Sequence, residues 1–222
     1  MTSENRKCQN CQQSFDIRPE DFSFYEKLGV PAPTFCPDCR LQRRLAFRNE
    51  RNLYKRKSSR SGKEIISMYS PDKNYAIYEL SEWNADNWDP LEYGSEYDFS
   101  RSFFEQFNEL MHRVPHKALI NWDAVNSDYC NFTYGNKNCY LVFGGEYNED
   151  CLYSTFNFYS KSSSDLYWAN KAELCYELVD GDGDYKATFG RFVNSSSDVH
   201  FAFDIIGCQD CFGSINLRNQ NH

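Results

Sequence analysis

The chain has 222 residues and a net charge of −8, with 41% hydrophobic and 17% aromatic residues, which excludes a disordered protein and allows one large domain or a few small ones. No apolar run reaches the roughly 18 residues of a membrane span, and the first residues lack the apolar segment of a secretory signal, so we predict a cytoplasmic protein without a membrane partner. Ten cysteines in such a chain predict reduced thiols and metal binding rather than disulfides.

The first predicted element is a metal site near the N-terminus. Four cysteines form the pattern C-x2-C-x24-C-x2-C, in which each pair directs two sulfurs at one point, as tetrahedral Zn²⁺ requires. Four protein ligands leave no position for a substrate, so the site is structural, and metal binding would stabilise a segment that has little core of its own. We predict a zinc ribbon whose ligands are Cys8, Cys11, Cys36 and Cys39.

The same segment, CQNCQQSFDIRPEDFSFYEKLGVPAPTFCPDCRLQRR, resembles a family of probable zinc-ribbon domains. Further along, MYSPDK, YDFSRSFFEQF and KNCYLVF are similar to parts of uncharacterised proteins of candidate-phylum bacteria that carry a second C-x-x-C-G-K knuckle. The resemblance implies an architecture of ribbons followed by a cysteine- and aromatic-rich repeat, and it implies no activity.

The next segment is strongly basic. From Arg40 to Lys63 the chain has ten basic residues and one acidic residue, Glu50, whereas residues 64–222 carry a net charge of −15. RLQRRLAFRNERNLYKRK has no Gly or Pro and predicts a helix that completes a domain of residues 1–57. Guanidinium groups pair with phosphates, so we predict nucleic-acid contacts at Arg40, Arg43, Arg44, Arg48, Arg51, Lys55, Arg56 and Lys57. Docking of this helix on an acidic surface of the chain or of another protein, and an inert solvated face, are the alternatives.

Residues 58–97 are predicted to form a second ribbon without metal, followed by a linker. The resemblance places the second set of ligands at Ser58, Ser61, Glu79 and Glu82. Serine hydroxyls are poor Zn²⁺ ligands, and two glutamates alone make only a weak oxygen site. The hairpin would instead rest on its apolar residues, and the aromatic residues of the linker are expected to pack between domains rather than stack on sugars or bases.

Residues 98–125 are predicted to contain a capping helix and a connection. Phe103, Phe107, Leu110 and Val114 recur at helical spacing. Asp98 or Ser100 can cap the N-terminus, and Pro115 ends the helix. An apolar face of this kind suits a lid on one end of a repeat array. His112 and His116 have a metal-binding spacing that Pro115 disrupts.

Residues 126–222 repeat a short unit, as in NCYLVFG, DCLYSTF, LCYELVD and DCFGSIN, with starts about every twelve residues. This period predicts a parallel β-solenoid in which two units form a coil of about twenty-four residues, with an antiparallel meander as the alternative. The cysteines at a shared position of the unit are predicted to form one internal ladder of buried thiols, namely Cys130, Cys139, Cys151, Cys175 and Cys211.

No catalytic residue is predicted. DGDGD fails as an EF-hand loop because Arg191 occupies the position of the bidentate Glu. The carboxylates that a pectinase-like β-helix would use are Asp180, Asp182, Asp184, Asp198 and Asp204. We therefore predict a zinc-containing, non-enzymatic adaptor that binds nucleic acid or a ribonucleoprotein through its basic helix and a protein partner through its solenoid. The alternatives are a carbohydrate-active or carbohydrate-binding β-helix protein and a pure protein-interaction scaffold.

Overall fold

The structure, a computed structural model, describes residues 2–221, and the chain divides into two compact units, Met1–Asn49 and Glu50–His222. The protein is mainly β, and a parallel β-solenoid fills most of the second unit, which confirms the predicted class. The antiparallel meander is therefore wrong.

The first unit contains a hairpin and two helices. Strands β1 (Glu4–Lys7) and β2 (Ser14–Ile17) pair antiparallel, and they are followed by α1 (Pro19–Lys27) and α2 (Pro37–Leu45). Each helix has Pro at its first position, where the missing N–H needs no partner. We call this arrangement, residues 4–45, the first ribbon.

The basic helix is shorter than predicted. Helix α2 ends at Leu45, and Tyr54–Lys57 forms strand β3, which pairs antiparallel with β4 (Glu64–Ser67). In β3 the more buried residues alternate with exposed lysines, which is the pattern of a strand with one covered face. The prediction of one continuous helix was wrong because pairing with β4 outweighs the helical propensity of the Lys and Arg residues.

The second unit begins with a second ribbon, residues 54–83. It consists of β3, β4, β5 (Ile77–Tyr78) and α3 (Leu80–Trp83), and a short 3₁₀ helix follows at Pro90–Tyr93. Ile65, Ile77 and Ala118 form its small core, against which Tyr69 and Tyr75 pack.

The second ribbon also covers the first coil of the solenoid. Strand β5 pairs in parallel with β6 (His116–Lys117), and the Met68 N–H donates to the Ala118 carbonyl at 2.9 Å. The predicted capping helix is present as α4 (Phe103–Arg113), with Ser102 as its N-cap, but none of its residues is buried. Phe103 and Phe107 of its apolar face are exposed, whereas Leu110 and Val114 are half-buried, and the lid role of α4 stays a prediction.

The solenoid is a stack of parallel strands. They are β7 (Asn121–Trp122), β8 (Asn131–Tyr134), β9 (Phe143–Glu146), β10 (Thr155–Phe158), β11 (Tyr167–Asn170), β12 (Tyr176–Asp182), β13 (Tyr185–Asn194), β14 (Ser197–His200), β15 (Phe203–Ile206) and β16 (Gln209–Phe212). Paired residues are twelve positions apart, as in Thr155 and Tyr167. One coil therefore contains twelve residues, and the predicted coil of twenty-four was wrong.

Each coil has four sides of three residues. Every third side chain points inward, and the residue before it has a positive φ, as at Asn138 (52°), Leu141 (53°) and Tyr147 (52°). A left-handed residue turns the chain at each corner, so the burial period is three rather than the two of an extended strand.

The inward positions form columns that run along the solenoid. Cys139, Cys151, Cys175 and Cys211 occupy one column because multiples of twelve residues separate them. Cys130 lies nine residues before Cys139, three sides away, so it belongs to another column and its predicted place in the ladder was wrong. All of these thiols are buried and free.

Buried polar side chains connect successive coils. The Cys139 N–H donates to Ser127 Oγ at 2.9 Å, and the Ala172 N–H donates to Ser160 Oγ at 3.1 Å. Each such bond satisfies an inward-facing backbone N–H that would otherwise be buried without an acceptor. The Ser and Asn residues of the repeat are therefore part of the core.

Asp184 occupies one of these ladder positions. Because its carboxyl group is buried, we predict that the free energy of unfolding depends on pH. Its Oδ1 accepts the Ser196 N–H at 3.0 Å, its Oδ2 has no partner within residues 2–221, and the residue is 1% exposed. Burial raises the pKa of Asp184 to about 7, and the Ser196 and Asp182 N–H groups only partly oppose this. The native carboxyl is then protonated at pH values where the unfolded one, with a pKa of about 3.9, is ionised.

The free energy of unfolding should consequently fall as the pH rises from about 4 to about 7, by about 1.4 kcal/mol per pH unit from this group, and stay level above. Asp184→Asn keeps the Ser196 acceptor and removes the titration. In urea denaturation at several pH values, the variant should be more stable than the wild type at pH 8, with the difference vanishing near pH 4. An equal pH slope in both proteins would contradict this account.

Candidate metal centre and basic surface

Four cysteine sulfurs converge in the first ribbon. The Sγ atoms of Cys8, Cys11, Cys36 and Cys39 all lie within 4.8 Å of one another. Three of these residues are buried, and Cys11 is exposed. Within residues 2–221 no other group of three or more His, Cys, Asp or Glu side chains is gathered in this way. These four residues could hold a metal ion.

The local backbone explains why the sulfurs meet. The turn after β1 is closed by two hydrogen bonds, from the Cys8 N–H to the Gln13 carbonyl at 2.9 Å and from the Gln12 N–H to the Cys8 carbonyl at 3.0 Å. Cys36 is the N-cap of α2, and Cys39 lies in the first turn of that helix. A hairpin turn and a helix N-terminus thus each present two thiols.

Hydrogen-bond donors point at the sulfurs. The Cys36 N–H donates to Cys8 Sγ at 3.2 Å, and Asn10 Nδ2 donates to Cys39 Sγ at 3.3 Å. Burial by itself would raise the pKa of Cys8, but the backbone N–H groups of Cys36, Cys11 and Asn10 lower it to about 6. The Gln13 N–H lowers the pKa of Cys11, but burial and the neighbouring sulfurs raise it to about 12, so Cys8 is the sulfur most readily present as the thiolate that binds metal.

The second ribbon repeats this backbone fifty residues later. The Ser58 N–H donates to the Lys63 carbonyl at 2.8 Å and the Gly62 N–H to the Ser58 carbonyl at 3.0 Å, as in the turn after β1. Gly62 has a φ of 73°, where Gln12 has 62°. The hairpin register is also the same, because Lys57 pairs with Glu64 as Lys7 pairs with Ser14.

In the second ribbon, the residues at the predicted ligand positions form hydrogen bonds with one another. Ser58 Oγ donates to Glu82 Oε2 at 2.5 Å and accepts the Arg60 N–H at 3.1 Å. Glu82 Oε2 also accepts the Glu79 N–H at 3.0 Å, while the Glu79 carboxylate caps α3 by accepting the Ser81 N–H at 2.9 Å. Burial opposes the ionisation of Glu82, but hydrogen bonds from Ser58 and Ser61 hold the pKa of Glu82 below its usual value. Ser58, Glu79 and Glu82 are thus linked to one another by hydrogen bonds.

The predicted nucleic-acid contacts are distributed over both units. Arg40, Arg43 and Arg44 of α2, together with Phe47, line one cleft with a volume of about 240 Å³. Arg48 is exposed just after α2, and Arg51 belongs to the second unit, where its guanidinium donates to Thr155 Oγ1.

The basic residues of β3 do not all face solvent. Lys55 and Lys57 are exposed. Arg56 donates to the carbonyls of Ser70 at 3.3 Å and Tyr75 at 3.0 Å, and burial lowers its pKa. Arg56 therefore stabilises the second ribbon instead of offering a free guanidinium.

The arginines of the cleft are positioned by uncharged neighbours. Arg40 Nη1 donates to the Tyr25 hydroxyl at 3.1 Å, and the Arg43 guanidinium lies 4.8 Å from the centre of the Phe35 ring. Within residues 2–221, none of Arg40, Arg43 and Arg44 forms an ion pair. Sequence reasoning missed these three aromatic residues because Tyr25 and Phe35 lie outside the basic segment and Phe47, although inside it, carries no charge.

No three of the acidic residues suggested for a β-helix enzyme gather at one point within residues 2–221. Asp184 is buried inside the coil, Asp198 lies 3.7 Å from Lys186, and Asp204 lies 2.9 Å from Arg218. Asp182 accepts a hydrogen bond from Asn170, and Asp180 lies at a corner of the coil.

His112, His116 and the tryptophans of the predicted linker have structural contacts. A ring nitrogen of His112 is hydrogen-bonded to the Asn108 carbonyl, and one of His116 is hydrogen-bonded to the Met111 carbonyl. Trp83 and Trp88 pack on each other with ring centres 5.9 Å apart, in agreement with a packing role.

No family model matches the chain, and no curated protein is significantly similar to it. The resemblance of the first ribbon to a zinc-ribbon family therefore stays a prediction. Among the helices of residues 2–221, none combines the length and the apolar character that a membrane crossing needs.

Proposed function

We propose that this chain is a zinc-ribbon protein that binds nucleic acid through Arg40, Arg43 and Arg44. The observation that carries the proposal is that three guanidiniums surround one cleft and none is neutralised by a carboxylate within the described chain. Like charges gathered without counter-charges repel one another unless an anionic partner neutralises them.

Zinc is the metal that suits the cysteine cluster. Four thiolates within 4.8 Å of one another select a soft ion, and a site with four protein ligands is structural. When bound, the metal would fix α2 against the hairpin, because Cys36 is the N-cap of α2 and Cys39 lies in its first turn. The role of the metal would then be to position the arginines.

Phosphate is the anionic group that this cleft fits best. A guanidinium presents paired N–H donors that match phosphate oxygens, and a row of phosphates can engage several arginines at once. Because Arg40 and Arg43 are already held by Tyr25 and Phe35, little side-chain entropy would be lost on binding.

We also propose that the chain is an adaptor, with the solenoid as the surface that binds a protein partner. Its outward faces carry files of exposed aromatic rings, such as Tyr176, Phe189 and Phe201, whose neighbouring ring centres are 5.5 and 4.9 Å apart. Extended exposed apolar surface of this kind is typical of protein interaction sites.

The test is a charge reversal with a matched control. Arg43→Glu together with Arg44→Glu should weaken binding to any nucleic acid at least ~10-fold and reduce the slope of log K against log salt by roughly 1.4–1.8, since each lost phosphate contact contributes ~0.7–0.9. Lys161→Glu with Lys171→Glu changes the net charge equally on the solenoid and should have little effect. Fluorescence anisotropy over a salt series measures both. Absence of salt-sensitive binding by the wild type, or an equal loss in the control, would contradict the proposal.

A further inference from the structure

We infer that Phe47 makes the arginine cleft a site for single-stranded nucleic acid, in which an unpaired base stacks on its ring while flanking phosphates contact the arginines. The inference rests on the proposed function and names the form of nucleic acid that is bound. Phe47 lies within the basic segment but carries no charge, so the search for phosphate-binding residues did not select it.

Phe47 is held beside the arginines by the backbone. Ala46 is the C-cap of α2, the Phe47 N–H donates to the Arg44 carbonyl at 3.3 Å, and the Arg48 N–H donates to the Leu45 carbonyl at 2.9 Å. These bonds continue the last turn of the helix, so the ring is presented from an ordered position. It lines the same cleft as the three arginines.

The ring of Phe47 does not serve the core of its own unit. The residue is 83% exposed, whereas the rings that do pack around the cysteines are Phe35 and Phe15. Exposing a large apolar ring forfeits the free energy that its burial would supply. An exposed aromatic ring within a cationic cleft is the combination by which proteins bind single strands, because every base has a face that can stack.

Single strands are favoured over duplexes for a geometric reason. In a duplex the bases are paired and stacked on one another, and their faces are inaccessible to a side chain. The arginines contact phosphates that both forms possess, so they cannot distinguish the two. Discrimination must therefore come from the ring.

The experiment compares the full-length, zinc-loaded protein and three variants on a single-stranded oligonucleotide and on a hairpin duplex with the same number of phosphates. Phe47→Ala should weaken binding of the single strand by about 5- to 150-fold, the range for the loss of one stacked base. It should leave the affinity for the duplex and the salt slope unchanged. Phe47→Trp should restore binding of the single strand.

Phe104→Ala is the matched control, because Phe104 is 78% exposed but lies on α4, and it should change neither affinity. Equal wild-type binding of both forms, with Phe47→Ala indistinguishable from the wild type, would overturn the inference and leave the proposed function standing. Binding of neither nucleic acid, with binding of an acidic peptide instead, would overturn both.

Discussion

Removal of the metal is expected to unfold the first ribbon and leave the solenoid folded. The core of the ribbon is small, with Phe15 and Phe35 packed against Cys8, Cys36 and Cys39 and with Ile17 also buried, and α1 buries none of its residues. In small ribbons of this type metal binding supplies about 10 kcal/mol or more, which exceeds the stability of the whole domain. Treatment with a chelator, or Cys39→Ser, should therefore make residues 1–49 protease-sensitive.

The solenoid provides the internal comparison. Its strands and hydrogen-bond ladders contain no group of ligands within the described residues, so its urea transition should be unchanged by the chelator. Cys175→Ser alters a buried thiol of the solenoid and should leave the metal content as in the wild type. A first ribbon that keeps its protease resistance without metal would show that the cysteine cluster is not what stabilises it.

Gly145→Ala is expected to be among the most destabilising single substitutions in the solenoid. Gly145 has a φ of 122°, and a Cβ built there would lie 1.9 Å from the Asn157 carbonyl oxygen of the next coil. The backbone conformation and the clash each cost on the order of 1–3 kcal/mol, so the free energy of unfolding should fall by about 3–5 kcal/mol. Urea denaturation followed by circular dichroism measures this loss.

Gly213→Ala is the reference for a left-handed glycine at which no clash arises. Gly213 has a φ of 62°, but a Cβ there would meet no atom within 4 Å. Only the conformational term remains, so a loss of about 1 kcal/mol is expected. If both substitutions destabilise the solenoid equally, close packing between the coils at Gly145 is not the cause.

The gathering of the four cysteines could be predicted from the sequence because the geometry of each pair is local. Cys8 and Cys11 share one turn, Cys36 and Cys39 share one helix start, and each pair has a fixed geometry at x2 spacing. The twelve-residue period of the repeat could also be predicted from the sequence. The second ribbon was predicted from a resemblance, and the structure places Ser58 and Glu82 of the expected ligand positions in direct hydrogen-bond contact.

The shape of the coil could not be predicted. Residues such as Leu141, Phe156 and Trp168 have positive φ values of 53°, 52° and 57°, which their local propensities oppose. Contacts with the neighbouring coils stabilise these conformations, as between Phe156 and Trp168, whose ring centres are 5.2 Å apart. The sequence of a single repeat unit does not contain these contacts. The same reliance on distant contacts explains why the end of α2 and the inward turn of Arg56 were missed.

The metal content tests the central claim most directly. The claim is that one ribbon holds a metal through Cys8, Cys11, Cys36 and Cys39, while the other is closed by hydrogen bonds among Ser58, Glu79 and Glu82. Elemental analysis of protein purified without chelator should give about one zinc per chain, and none after Cys39→Ser, by the four-thiolate rule. Two zinc ions per chain, or one zinc retained by Cys39→Ser, would contradict it.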